Sequence, residues 1–190
     1  MNPLQYLLAP GPAIAVLAAA TAVGSAIGAS GHPAAEPVEV WLGHLECGAE
    51  TFTARTENLD VPEQPRQPLS QKIAGPAGAQ LSLDAHALRQ PFLQGVEVRD
   101  AAATGWACLT SNDGRSFVSV VMTCTESPAR PACKGTAREW VRLYDVHGRL
   151  LNGGYPRSGP RTPTLMKRIG LGRYLADGVT LSDVQETKAP

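Results

Sequence analysis

Four cysteines, Cys47, Cys108, Cys124 and Cys133, carry the most specific chemistry in this 190-residue chain. All four follow an apolar N-terminal segment typical of exported proteins, and an even cysteine count in an oxidising compartment predicts two disulfide bonds. Such pairing leaves no thiol for nucleophilic or redox catalysis. No metal site is expected, because the chain has no Cys-x-x-Cys pair and its histidines lie at no ligand spacing.

A hairpin around the sequence SNDGR, residues 111–115, removes one of the three possible disulfide connectivities. Its Asp-Gly pair tolerates the positive φ of hairpin turns, and both flanks are rich in strand-forming residues. A two-residue turn places Cys108 opposite Ser119, and a three-residue turn with a bulge places it opposite Val118. In either register Cys124 lies roughly 16 to 20 Å further along the ribbon, whereas bonded cysteines need Cα atoms within about 7 Å.

Of the two connectivities that remain, the sequence favours Cys47 with Cys108 and Cys124 with Cys133. The segment between the last two cysteines contains two prolines, which bend the chain back and reduce the entropy cost of closing a small ring. Chain-entropy estimates assign about 3 kcal/mol to the short ring and about 4 kcal/mol to the long one. Both bonds are predicted to be structural.

Residues able to catalyse hydrolysis are present but dispersed. His44, His86, His147 and Ser116 could act together with acidic residues, but the chain has no nucleophile elbow, phosphate loop, zinc-protease helix, dinucleotide fingerprint or calcium loop. His147 falls in a predicted turn and is expected to face solvent, and His44, in a predicted strand, is expected to face solvent or to hydrogen-bond locally. The sequence therefore predicts no catalytic residue and no cofactor, and a small hydrolase with His44 as base is the least favoured function.

Charge is balanced over the chain, with 17 basic and 17 acidic residues, but its distribution is uneven. Residues 36–63 hold seven acids and one base, whereas residues 130–173 hold ten bases and two acids. The balanced total predicts no nucleic-acid binding. The basic segment offers a surface for an acidic partner or an anionic envelope polymer, unless its charges are spread over different faces of the fold.

The loop NGGYPRSGPRTPT, residues 152–164, is the predicted partner-binding segment. Glycine and proline are too frequent in it for regular structure, and a brief helical turn is expected after it. It presents tyrosine and arginine, which are enriched in interface hot spots. Five residues in and after this loop are expected to contact a partner protein: Tyr155, Arg157, Arg161, Lys167 and Arg168.

The elements that must position these residues are predicted to be β-strands. Single strands and turn-marked ribbons are expected at residues 38–47, 51–57, 95–100, 105–125, 138–153 and 174–186. They favour a mainly β fold, an antiparallel β-sandwich or small barrel with long Pro/Gly-rich loops, stabilised by disulfides. The proline-rich residues 58–80 are expected to form a loop, and residues 81–92 a short helix. The three tryptophans are expected in the core.

The first 31 residues contain no charged side chain and are rich in alanine, leucine and glycine. They predict an apolar N-terminal helix, either a signal peptide over residues 1–30 or an inner-membrane anchor over residues 4–29. A linker over 31–37, one β-rich domain over 38–186 and a tail over 187–190 are expected to follow. The predicted location is periplasmic or secreted.

These features predict an exported, non-catalytic binding protein. We expect an inhibitor or immunity-type protein that blocks an enzyme or toxin of the bacterial envelope. The alternative is a membrane-tethered structural or assembly component of the envelope, which contacts the membrane only through an uncleaved N-terminal segment.

Overall fold

The computed structural model describes residues 38–60, 66–90, 93, 95–134, 138–153 and 161–190, within a compact unit from Ala35 to Pro190. In chain order the elements are β1 (Val38–Cys47), β2 (Glu50–Leu59), β3 (Gln67–Ala74), β4 (Ala87–Arg89), β5 (Glu97–Arg99), β6 (Ala101–Thr110), β7 (Ser116–Cys124), β8 (Glu139–Asp145), α1 (Arg161–Arg168), α2 (Tyr174–Asp177), β9 (Ser182–Asp183) and β10 (Thr187–Lys188). The fold is therefore mainly β, as the sequence predicts.

Two four-stranded antiparallel sheets and one small hairpin contain these strands. The first sheet has the order β10-β1-β2-β3, the second has the order β8-β7-β6-β9, and β4 pairs with β5. β9 and β10 are only two residues long and lie in one C-terminal segment. That segment therefore borders the first sheet at β1 and the second sheet at β6.

The main core is built from both sheets, because alternate side chains of a strand point to the same face. Leu45 and Phe52 contribute from the first sheet, and Trp106 and Val120 contribute from the second. Trp140 is buried with them, whereas Trp41 is only partly buried. The expectation of core tryptophans is therefore correct for Trp106 and Trp140 and wrong for Trp41, whose ring centroid lies 4.1 Å from the Arg66 guanidinium.

A smaller core lies on the other face of the second sheet. Leu109 of β6 and Phe117 of β7 occupy strand positions that point away from the main core. They pack with apolar residues in and after α1: Leu165, Met166, Ile169 and Leu171. The second sheet is therefore buried on both faces, and this packing holds α1 against it.

The β6–β7 hairpin has the register of a three-residue turn with a bulge, since Cys108 lies opposite Val118. The Ser111 amide donates to the Arg115 carbonyl across 2.8 Å, and Gly114 has a φ of +82°. A residue with left-handed φ is what the bulge of this turn requires. The Asp-Gly signal in the sequence therefore identifies the correct turn.

Both disulfides form between the cysteines that the sequence favours. Cys47 is bonded to Cys108, with Cα atoms 5.0 Å apart, and Cys124 is bonded to Cys133, with Cα atoms 5.8 Å apart. The first bond links β1 to β6 and so joins the two large sheets. The second closes the loop that follows β7.

The prediction of a loop over residues 58–80 is wrong, because β3 occupies Gln67–Ala74. Pro68 is accommodated since β3 is an edge strand, where a missing amide donor leaves no ladder bond unmade. The pairing also shifts register between Glu57 and Asn58, immediately before the proline's partner. Such irregularities are common at sheet edges.

The predicted helix over residues 81–92 is also wrong. Residues 81–86 have no regular structure, and β4, which follows them, pairs with β5. Leu93 and Val98 are buried with Leu59 beneath this hairpin. Pairing with a neighbouring strand and burial of these apolar residues outweigh a moderate local helix preference.

The C-terminal ribbon predicted over residues 174–186 is not a hairpin. Its Asp-Gly pair ends α2, with Gly178 at a φ of +77°, and β9 pairs with β6 instead. Thr187–Lys188, predicted to belong to a tail, forms β10 and pairs with Trp41 and Leu42 of β1. An Asp-Gly pair suits a helix end as well as a hairpin, because both require left-handed φ.

Among the described residues, no helix has both the length and the hydropathy needed to cross a membrane. The apolar N-terminal segment, with its predicted signal peptide or anchor, lies outside those residues.

Candidate protein-binding site

Three of the five residues predicted to contact a partner, Arg161, Lys167 and Arg168, belong to α1. The other two, Tyr155 and Arg157, lie outside the described residues. The last residues of the predicted irregular loop are thus helical, which corrects that prediction.

The sequence RTPT at the start of α1 contains a helix signal that the proline count concealed. Pro163 lies in the first turn, where backbone amides have no partner within the helix, so its missing N–H costs little. The side chain of Thr162 in the same turn is buried against the sheet. Proline here begins a helix and does not break one.

Asn152 connects the beginning of α1 to the second sheet. Its Oδ1 accepts the Leu143 amide across 2.8 Å, and its Nδ2 donates to the Val141 carbonyl across 2.9 Å. The same Nδ2 lies 3.3 Å from the Thr162 hydroxyl oxygen. One amide side chain therefore sets the distance between β8 and the helix.

One face of α1 presents a cation, an apolar residue and a second cation. Arg161, Leu165 and Arg168 are separated by four and three residues, a spacing that places them on the same side of a helix. Lys167 is exposed but falls outside this row. Leu165 and Met166 pack against the smaller core, and Leu165 also lines the clefts beside the helix, so the row lies at the edge of the packed surface.

Two clefts border this face of α1. The larger, of about 750 Å³, lies between α1, the turn after β8 and the turn between β1 and β2. The smaller, of about 450 Å³, lies between α1 and residues 151–153. Leu151, Leu165 and Arg168 line both clefts, so the two cavities share one wall.

The turn between β1 and β2 forms one end of the larger cleft. Gly48 has a φ of +69°, and a Cβ placed there would approach the Ser116 hydroxyl oxygen to 2.7 Å. Glycine is thus required both for the turn and for its close approach to β7. Ala49, the next residue, is exposed at the cleft, and Phe117 contributes apolar surface to its wall.

The turn after β8 forms the opposite wall and is held by its own hydrogen bonds. The Asp145 Oδ1 atom accepts the amides of His147 and Arg149, each across 3.0 Å, and Oδ2 accepts Arg149 Nε across 3.0 Å. His147 is exposed at the turn, as predicted, and Gly148 has a φ of +82°. This wall is therefore preorganised.

Most charges around the larger cleft compensate each other. Arg149 pairs with Asp145, and Arg115 pairs with Asp113 across 2.8 Å. The Ser111 hydroxyl and the Arg115 guanidinium lower the pKa of Asp113, so this carboxyl stays ionised beside its arginine.

The three cationic side chains of α1 are not compensated in this way. Within the part of the chain that the structure describes, Arg161, Lys167 and Arg168 form no ion pair with a carboxylate. Glu50 is the acid of the larger cleft that lies outside the two pairs. The site therefore has an excess of positive charge concentrated on the helix.

Two arginines of the basic segment, residues 130–173, are buried and cannot contact a partner. Arg130 is 1% exposed, and its Nε lies 3.1 Å from Oδ2 of the equally buried Asp100. Its Nη2 donates to the Asp84 carbonyl, and its guanidinium lies 4.9 Å from the Trp140 ring centroid. Arg142, also buried, reaches Asp84 Oδ2 across 3.4 Å. The basic residues are thus divided between core and surface.

Hydrogen bonds complete this buried cluster. Burial raises the pKa of Asp100, but bonds from the His86 amide at 2.8 Å, from the Ser127 hydroxyl at 2.9 Å and from Arg130 lower it further than burial raises it. Burial raises the pKa of Tyr144, whose hydroxyl donates to the Ser82 carbonyl across 2.6 Å. Sequence reasoning missed this cluster, because its members come from four separate segments.

The residues considered for hydrolysis lie in three places. His44 bonds Glu46 on the exposed face of β1, with 2.6 Å between Nε2 and Oε1, and His86 lies beside Arg130. Ser116 and His147 both line the larger cleft, but no hydrogen bond joins their side chains. Among the residues that the structure describes, no group of three or more histidine, cysteine or acidic side chains is arranged to hold a metal ion.

No protein family, curated protein or solved structure matches the chain. Only the chemistry and geometry of the site therefore bear on the function.

Proposed function

We propose that this protein is an exported, non-catalytic binding protein that inhibits an enzyme or toxin of the bacterial envelope. Its contact surface is α1 with the preceding loop, including Arg161, Lys167 and Arg168. The observation that supports this proposal is the concentration of uncompensated positive charge beside an open cleft. Such a surface attracts an acidic partner and fits the rim of a partner's active site.

Export of the protein agrees with its cysteines. Both disulfides are largely buried and each joins elements of the core, so the folded state depends on an oxidising environment. Together with the apolar N-terminal segment, this supports a signal peptide and a periplasmic or secreted location. An uncleaved segment would instead make it a membrane anchor.

The scaffold proposed for this role is a β-sandwich. The two large sheets share one core and are joined by the Cys47–Cys108 bond, which supports a sandwich over a closed barrel. A rigid sandwich holds α1 in a fixed orientation, and preorganisation reduces the entropy cost of binding.

A pull-down followed by an activity assay tests the proposed function. The full chain, exported and oxidised, is immobilised and exposed to envelope extract at low and moderate salt, and captured proteins are identified by mass spectrometry. We expect one stoichiometric partner whose enzymatic or toxic activity is lost when the protein is added. Its capture should weaken as salt rises, because the contact is partly ionic.

Charge reversal identifies the contact surface. The double variant Arg161→Glu and Arg168→Glu should weaken binding by tenfold or more, equivalent to about 1.4 kcal/mol. Lys72→Glu, on the distant β3 strand, is the matched control and should bind normally. A captured enzyme that stays fully active at saturation contradicts inhibition. Recovery of several membrane assembly proteins would support the tethered component instead.

A further inference from the structure

We infer that the larger cleft receives an apolar side chain from an acidic segment of the partner protein, while Arg168 in its wall and Arg161 beside the adjoining smaller cleft bind carboxylates of the same segment. This inference rests on the proposed function and adds the chemistry of the segment that the partner presents. An apolar side chain in the cleft would contact its apolar wall, which attraction between charges alone does not involve.

The row of residues on α1 sets the spacing of the partner's groups. Arg161 and Arg168 are seven residues apart, which is about 10 Å along a helix, and Leu165 lies between them. An extended segment advances about 3.3 Å per residue and presents alternate side chains on one face, so two acidic residues four positions apart lie on the same face about 13 Å from each other, a separation that the long arginine side chains can span. An apolar residue between those acids would face Leu165 and the cleft.

The cleft has the size and lining of a side-chain pocket. Its volume of about 750 Å³ lies within the range of roughly 300 to 1,000 Å³ typical of small-ligand pockets. Phe117, Leu151 and Ile169 contribute apolar walls, and Ala49 lies at its end. A buried aromatic or branched side chain in such a pocket commonly carries much of the affinity of an interface.

The combination of groups favours a protein segment over an anionic polymer. A polysaccharide or phosphate polymer would contact the cations and leave the partly exposed Leu165 and Ile169 hydrated. Arginine, which both ends of the row use, binds a carboxylate through two parallel hydrogen bonds. Together, the paired arginines and the apolar cleft complement a chain that carries carboxylates and a large apolar side chain.

A peptide selection tests this inference without knowledge of the partner. A phage-displayed library of random 12-residue peptides is selected on the oxidised full chain, and enriched peptides are synthesised for fluorescence-anisotropy titration. We expect enriched sequences to place an aromatic or branched residue between two acids. Peptides that bind without acidic residues would overturn the inference, as would undiminished affinity after the apolar residue is replaced by alanine.

Two variants of the protein locate the bound peptide. Ala49→Trp places a large ring at the exposed end of the cleft and should weaken peptide binding by tenfold or more. Ala87→Trp, at an exposed position of β4, is the matched control and should change affinity less than twofold. The double charge reversal on α1 provides a second probe that does not depend on filling the cleft. Unchanged affinity in both the Ala49→Trp and charge-reversal proteins contradicts the assigned site.

The two proposals can fail separately. An inhibited partner enzyme that binds the Ala49→Trp and charge-reversal proteins normally would refute the cleft inference and leave the inhibitor function intact. Selected peptides that need the cleft, in a protein that inhibits no envelope enzyme or toxin, would support the cleft inference and refute the inhibitor function.

Discussion

Replacing Arg130 by methionine is expected to lower the free energy of unfolding by about 3 to 5 kcal/mol. Methionine retains most of the arginine's length but removes its charge. Asp100, 1% exposed, would lose the guanidinium 3.1 Å from its Oδ2. It would keep the hydrogen bonds from the Ser127 hydroxyl and the His86 amide, and the His86 Nδ1 atom 3.6 Å from its Oδ2, but the buried carboxylate would lose its arginine counter-ion.

The expected loss of stability combines two contacts of Arg130, one with Asp100 and one with Trp140. Breaking a buried ion pair by removing one member typically costs 3 to 5 kcal/mol, since the remaining charge is desolvated without compensation. The contact between Arg130 and the Trp140 ring, 4.9 Å to the centroid, adds about 0.5 to 2 kcal/mol when desolvated. Apolar packing of methionine against the ring offsets part of that contribution.

Urea unfolding at pH 7 measures the effect, with the disulfides intact and tryptophan fluorescence as the probe. Asp100→Asn and the double variant complete a mutant cycle, and we expect a coupling energy on the order of 1 to 3 kcal/mol. A loss below about 1 kcal/mol for Arg130→Met, with an unchanged denaturant slope, would refute the assignment of Arg130 as the essential counter-ion. Fully additive effects of the two substitutions would refute it as well.

Acid should reduce the contribution of this carboxylate. The folded state lowers the pKa of Asp100, so its stabilising effect is present above the unfolded value of about 3.9 and is lost as the pH falls through the folded pKa. Between pH 5 and pH 2 the stability of the wild-type protein should therefore fall more than that of Asp100→Asn. Parallel curves for the two proteins would contradict the lowered pKa.

Three further expectations concern other contacts. Gly43→Ala should lower the free energy of unfolding by about 1 to 3 kcal/mol, because the added Cβ would approach the Val184 carbonyl oxygen to 2.1 Å. An unchanged midpoint of urea unfolding would contradict this clash. Asn152→Asp should lower the free energy of unfolding by about 1 to 3 kcal/mol, since it removes the donor to the Val141 carbonyl and keeps an acceptor. Full stability of this variant would show that the bond is dispensable. The raised pKa of Tyr144 predicts that the stability of the wild-type protein declines as the pH rises from about 10 through the folded pKa. The stability of Tyr144→Phe should decline less over the same range. Equal declines for the two proteins would contradict the shift.

The local signals in the sequence were sufficient for the β6–β7 hairpin and, through its register, for the disulfide connectivity. Alternation predicts β1 correctly, and the Asp-Gly turn fixes the β6–β7 register within one residue. That register then excludes a Cys108–Cys124 bond, because the ladder places Cys124 opposite Ala101. The hairpin and the Cys124–Cys133 ring depend on residues close together in the chain, for which turn chemistry and periodicity are direct guides, whereas the Cys47–Cys108 bond is what then remains for the other two cysteines.

Elements that depend on distant partners were not predictable in this way. Pro68 argues against a strand unless that strand is known to lie at a sheet edge. At the candidate site, the cationic residues of α1 were identified from composition, but the cleft was not. Its lining comes from Ala49, Phe117, the turn after β8 and α1, which only the tertiary fold brings together.

The pairing of β1 with β10 joins the beginning and the end of the domain, and this has a consequence for folding kinetics. Until β10 pairs with β1, the Trp41–Leu42 edge has no partner there, and Leu42 remains 41% exposed even after pairing. Contacts of such high sequence separation form slowly, and an unpaired edge strand is prone to aggregate. Early oxidation of Cys47 with Cys108 would hold β1 beside β6 while the chain waits for its last strand.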